Sequence, residues 1–232
     1  MSTPFRPPLL LTRPRAGSER FAAQFRARMG ADCPVLIAPL LETEPTGAEL
    51  PAADALVLTS EQAVGPVAAS ALAGHPAFCV GERTAEVARK AGFSILGIAP
   101  DAVHLLELIL AAPDPGLILH TRGNEAAMPL AERLTAAGRR AAEVIVYAQV
   151  PRPPSAEMRA LLATPGPVLV PIFSPNSGKL LAAAARGARA ELRLVAISEN
   201  AAQTCTGLPA TTLQIAARPD AEALLDALVA LA

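Results

Sequence analysis

Short apolar runs alternate with longer stretches in which apolar residues return every three or four positions, and the whole alternation occurs twice. Leu9-Leu10-Leu11 ends in Thr12-Arg13-Pro14, and Leu117-Ile118-Leu119 runs through His120 into Thr121-Arg122-Gly123. Behind each run comes an amphipathic helix, carrying Phe21, Phe25 and Met29 in the first copy and Leu130 and Leu134 in the second. Ser18 is placed to cap the first helix, and Pro129 suits the opening turn of the second. Gly30 and Gly138 stop them, since glycine adopts the left-handed conformation that ends helices. New apolar runs begin at Val35 and Val144, each 22 residues beyond its arginine. Each contains proline, and residues 35–41 and 144–151 read as paired crossings between two lobes.

The correspondence continues. Residues 55–60 and 168–174 are apolar runs closing on Ser60 and Ser174, each able to cap the helix behind it. Residues 78–85 parallel 194–201. Ile95–Ala99 and Leu213–Ala217 read as strands, each followed by Pro-Asp-Ala, with Asp101 and Asp220 as helix caps. Strands regularly alternating with helices predict parallel sheets covered on both faces. The fold class is α/β, with two doubly wound lobes.

Composition narrows the chemistry. Hydrophobic residues make up 52% of the 232 positions and charged ones 18%, as in a globular chain. A net charge of −1 and an aromatic share of 3% argue against a nucleic-acid partner. Cys33, Cys79 and Cys205 form no Cys-x-x-Cys pair, and the three histidines show no ligand spacing, so no metal is expected. The longest uncharged stretch, residues 62–81, is cut by Gly65, Pro66, Gly74 and Pro76, so no membrane span is expected. The N-terminus lacks a basic-then-apolar signal, and the expected compartment is the cytoplasm. No Gly-x-Gly-x-x-Gly or Gly-Lys-Ser/Thr step occurs, which disfavours nucleotide cofactors.

Doubly wound sheets place ligands beyond the carboxyl ends of their strands. The polar residues gather there: Arg13, Thr59, Ser60, Gly81, Thr84, Arg122, Gly123, Asn124, Ser174 and Asn200. Capping alone accounts for a single serine or threonine, but a cap does not need a guanidinium, so Arg13 and Arg122 are the stronger anion-binding candidates. Tyr147, the only tyrosine in a chain without tryptophan, sits on the second crossing.

In order and spacing, Leu11-Thr12-Arg13-Pro14, Leu58-Thr59-Ser60 with Ala63-Val64, Val80-Gly81 with Thr84-Ala85, Arg122-Gly123-Asn124, Val146-Tyr147, Phe173-Ser174-Pro175 and Ala196-Ile197 resemble the uroporphyrinogen-III synthase family. The likeness covers nearly the whole chain. It implies two flavodoxin-like lobes joined by a two-stranded β linker, residues 1–37 with 151–232 forming one lobe and 38–150 the other, with the active site in the cleft between them. It implies a monomer that needs no cofactor, cyclising hydroxymethylbilane with inversion of the last pyrrole ring and loss of water. Tyr147 would be the proton donor, since a phenol that keeps its proton near neutrality can donate but not act as a base. The other ten residues would hold the substrate's acetate and propionate arms.

Three departures stand out. Asn200-Ala201 replaces a pair of threonines common in the family, Gln62 stands where an arginine can occur, and Ala126-Ala127 replaces a Gly-Arg step. They motivate an alternative, a non-catalytic paralogue that binds a tetrapyrrole or another polyanion without converting it.

Overall fold

Leu9, Leu10 and Leu11 are fully buried, as a strand in the interior of a parallel sheet must be when helices cover both its faces. The computed structural model describes residues 6–124 and 128–232, so Ala126-Ala127 lie outside the described residues. In chain order the first elements are β1 (Leu9–Leu11), α1 (Arg15–Met29), β2 (Val35–Ile37), β3 (Leu41–Pro45), β4 (Ala55–Leu58), α2 (Glu61–Ala68), β5 (Pro76–Val80), α3 (Glu82–Lys90), β6 (Ser94–Ala99) and α4 (Ala102–Ala111). There follow β7 (Ile118–Gly123), α5 (Leu130–Ala136), β8 (Ala141–Pro151), α6 (Ala156–Ala163), β9 (Gly166–Ile172), α7 (Pro175–Ala184), β10 (Ala190–Ala196), α8 (Glu199–Gln203), β11 (Ala210–Ile215) and α9 (Ala221–Leu231).

The chain divides into two units, Met1–Glu42 with Val150–Ala232, and Thr43–Gln149. The first holds a parallel sheet of order β11-β10-β9-β1-β2. Phe21 and Phe25 of α1 and Leu224, Leu225 and Leu228 of α9 cover one face. Met158 and Leu162 of α6, Leu181 of α7 and Ala201 of α8 cover the other. In the second unit the sheet runs β3-β8-β7-β4-β5-β6, with α2 and α3 on one face and α4 and α5 on the other. From β8 to β6 its strands are parallel. Thr46 N donates to Val146 O and Arg152 N to Leu40 O, so β3 runs antiparallel to β8.

Numbered by place in the repeat, both sheets follow the flavodoxin-type strand order, 2-1-3-4-5, with β3 added at the edge of the second, and each is assembled from both repeats. β1-α1-β2 completes the sheet of β9, β10 and β11, while β7-α5-β8 completes the sheet of β4, β5 and β6.

Local chemistry set several boundaries differently from the sequence expectation. Residues 35–41 are not one crossing. Pro39 supplies no N–H to a ladder, and the run splits into β2, paired with β1, and β3, paired with β8. Ser18 does not cap α1. The helix begins at Arg15 behind Pro14, and the Ser18 hydroxyl donates to Arg13 O at 2.8 Å from within the first turn. The last strand spans Ala210–Ile215 and not 213–217, because its register against β10 starts at Leu192. Ser60, Asp101, Ser174 and Asp220 each cap as expected.

Phe25 is completely buried beneath the first sheet, against groups from β9, β10 and α9. Phe25→Ala is expected to cost about 3–5 kcal/mol of unfolding free energy, read from the urea midpoint.

Candidate active site

In the first unit the direction of winding reverses between β1 and β9, the place where a sheet of this kind opens a crevice. Arg13 follows β1 and Phe173 follows β9. The guanidinium lies over the Phe173 ring, 4.2 Å from its centroid, and Phe21 meets the same ring edge-on at 5.1 Å. Gly17 leaves room for this, since a Cβ there would stand 2.6 Å from Arg13 Nε. Arg13 is therefore held in place by an aromatic face and a bare helix position. The Ser174 Oγ accepts from Ser177 N at 3.1 Å, and Ser177 Oγ accepts in return from Ser174 N at 3.0 Å, a closed capping box. Asn200 is exposed on α8, whose cap is Ser198.

In the second unit the reversal falls between β4 and β7. Thr59 Oγ1 and His120 Nε2 meet there at 3.3 Å. Ser60 Oγ accepts from Gln62 N at 3.3 Å and keeps its own proton for donation. Gly81, at φ +76°, caps α3 in a conformation that side chains resist, and Thr84 is buried in the first turn of that helix. Arg122 is already engaged: Nη2 meets Glu143 Oε1 at 2.5 Å, Nη1 donates to Gly123 O at 2.8 Å, and the side chain is 17% exposed. The bond between them holds the Glu143 carboxyl below its usual range and the Arg122 guanidinium above its own. The sequence suggested a free carboxylate fork; the fold uses Arg122 to tie β7 to β8.

Tyr147 is placed by a β-bulge. Arg122 opposes Ile145 and Gly123 opposes Tyr147, so Val146 has no partner of its own on β7. Val146 is buried in the cluster under α2 and α3, and Tyr147 packs against that same cluster. Successive side chains thus turn to one side, which a regular strand forbids and a bulge permits. The Tyr147 ring rests on Gly123, where a Cβ would come within 2.6 Å of Cε2 and 2.9 Å of the hydroxyl oxygen. Asn124 fixes the step, its N–H donating to Tyr147 O at 3.2 Å and its Oδ1 accepting from Gln149 N at 3.2 Å.

Beside the ring lies an open pocket of about 270 Å³, lined by Tyr147, Thr43, Glu61, Gln62, Gly65 and Pro66. Sequence reasoning singled out neither Glu61 nor Thr43. Glu61 gave a signal, as an acidic residue directly behind a strand-ending serine. Among the described residues no group of His, Cys, Asp and Glu is arranged to hold a metal ion. No helix among them is long and apolar enough to cross a membrane.

Two outcomes are expected of these contacts. Because Tyr147 is the only tyrosine and tryptophan is absent, near-ultraviolet circular dichroism reads its ring directly. Gly123→Ala should displace the ring and weaken that signal while the far-ultraviolet spectrum is retained. His120 is buried, and desolvation pushes it from 6.5 down to about 4, the Glu143 charge opposing and the Arg122 charge assisting. The unfolded chain takes up this proton near 6.5 and the folded chain only near 4, so neutral His120 contributes fully above 6.5 and its contribution drains as pH falls. Between pH 7 and 4.5 the loss is roughly 2–3 kcal/mol. Urea unfolding of His120→Gln at the two pH values should show a shallower fall by that amount.

Comparison with known proteins gives the family. The family model for uroporphyrinogen-III synthase HemD matches residues 19–226. The crystal structure of uroporphyrinogen-III synthetase from Helicobacter pylori superposes with a TM-score of 0.65 at 18% identity, covering 98% of this chain and 100% of that one. A mutant uroporphyrinogen III synthase from Thermus thermophilus gives a TM-score of 0.47 at 15% identity, covering 97% of this chain and 98% of that one. No curated protein sequence matches significantly. The likeness to the Helicobacter pylori structure carries the fold, and the family model spans most of the residues that build it; the chain belongs to the uroporphyrinogen-III synthase family.

Proposed function

We propose that the chain catalyses its family's reaction, closing hydroxymethylbilane with inversion of the last pyrrole ring and loss of water to give uroporphyrinogen III, a lyase step of tetrapyrrole (heme) biosynthesis. The observation that carries the reading is Tyr147 seated on Gly123 with its ring against an open pocket. The phenol donates its proton to the departing hydroxyl, the C–O bond breaks, and the pyrrole nitrogen supplies electrons to the methylene carbon. The substituted carbon of the last ring then attacks that methylene carbon. Its older bond to the neighbouring methylene breaks, that methylene rejoins the ring at its unsubstituted carbon, and the proton there is lost, which leaves the ring inverted and the macrocycle closed. Holding the two ends of a flexible chain near each other supplies much of the rate and the choice of isomer.

The carboxylate arms meet neutral donors more than free cations. Thr59, Ser60, Gly81 and Thr84 lie at the openings of α2 and α3, and Ser174 and Asn200 at those of α7 and α8, where N–H groups and the helix dipole favour anions. Gly123 and Asn124 offer a bare backbone beside the tyrosine. Arg13, presented on Phe173, adds one oriented guanidinium, and Arg122 acts through the strand pair it fastens. The working form is a monomer in the cytoplasm, a reading that rests on the family to which the chain belongs.

The test is conversion of hydroxymethylbilane, with isomer III scored against isomer I by chromatography of the oxidised porphyrins. Isomer III is expected from the purified chain. Tyr147→Phe should lower kcat on the order of a hundredfold with little change in KM. Full activity in that variant removes the donor role, and product binding without turnover in the unaltered chain favours the non-catalytic paralogue.

A further inference from the structure

The pocket beside Tyr147 has a feature at odds with a substrate that bears acids on every ring. Among the described residues lining it, Glu61 is the one that carries a charge, and that charge is negative. It is also well ordered into place. Glu61 opens α2 directly behind the Ser60 cap, its side chain is 19% exposed, and Oε2 accepts from Arg83 Nε at 2.9 Å. Arg83 reaches it from α3 and is itself 54% exposed, so water screens the cation more than the carboxylate it supports. A carboxylate here repels acetate and propionate arms. It attracts only the parts of a bilane that carry N–H donors or acquire positive charge.

We infer that Glu61 stabilises the cation formed on the pyrrole that loses its hydroxyl group. The inference rests on the reaction proposed above. When the C–O bond breaks, its electron pair leaves with the oxygen, which takes the Tyr147 proton and departs as water. The pyrrole nitrogen's lone pair fills the vacancy, and the ring becomes an N–H cation opposite a tyrosinate. Attack by the substituted carbon of the last ring forms the new C–C bond. The older bond from that carbon to its methylene then breaks, the methylene rejoins at the ring's unsubstituted carbon, and the proton lost there as the rings regain aromaticity restores the phenol. The cation exists only once the C–O bond is breaking, so a carboxylate near that N–H lowers the barrier without holding the ground state more tightly. The same charge keeps the acid arms out of this pocket, leaving the hydroxymethyl-bearing ring to enter beside Tyr147.

Glu61→Gln keeps the shape and an acceptor oxygen while removing the charge. In steady-state kinetics with hydroxymethylbilane, kcat is expected to fall roughly ten- to a hundredfold. KM should stay unchanged or drop slightly, because a repulsion is lost. Glu61→Asp, which keeps the charge, should recover most of kcat. Thermal unfolding of both variants guards against a purely structural role: a helix-capping carboxylate alone would shift the melting temperature and leave kcat per folded molecule intact. Unchanged kcat in Glu61→Gln overturns the inference, as does a rise in KM that accounts for the whole loss. If the unaltered chain makes no uroporphyrinogen III, the reaction assignment fails instead.

Discussion

A strand buried between two layers of helix must have hydrogen-bonding partners on both edges, because water cannot reach its N–H and C=O groups. In this chain neither repeat meets that demand alone. β9 would end its sheet without β1, and β4 would do so without β7. Each half takes a strand–helix–strand piece from the other, and the same exchange supplies the hydrophobic cover, since Phe21 and Phe25 of α1 close the core that α9 opens. The paired strands β3 and β8 follow from this: a chain that starts in one unit, leaves it and returns must cross twice, and both crossings run where one unit gives way to the other.

The exchange also decides where function can sit. The exchanged pieces enter at the edges where winding reverses, bringing Arg13 beside Phe173 and His120 beside Thr59. Within the second unit, β8 has two duties that pull against each other. It must pair in parallel with β7 and then run on as the crossing. The bulge at Val146 accommodates both by bending the strand, and the bend turns the one tyrosine over Gly123. The tyrosine's placement is thus a by-product of how the crossing leaves the sheet.

Much of this is legible in the sequence, and the limits of legibility have physical causes. Strand–helix alternation, the repeat, and four of the caps depend on interactions a few residues apart, which a sequence displays. The failures are longer-range. Ser18 has the chemistry of a cap, but Pro14 starts the helix sooner and the hydroxyl turns back to Arg13 O. The split of residues 35–41 depends on which strand lies alongside, and Pro39 alone does not name it. Arg122 looked like a ligand fork because its partner Glu143 lies a helix and a strand away. Glu61 was overlooked because nothing local reveals that Tyr147 approaches α2.

The engaged arginine changes how a polyanion can be held. Arg122 is bonded both to Glu143 and to Gly123 O, so recognition by it would require breaking a pair that also holds β7 to β8. Helix openings carry no such cost. Their N–H groups are fixed by the helix, need no counter-ion, and are blind to the side chains behind them. What such a site cannot relax, in the reaction we propose, is geometry at the reacting ring. There the constraint falls on Gly123, which leaves the tyrosine its seat, and on the sign of the charge that lines the pocket beside it.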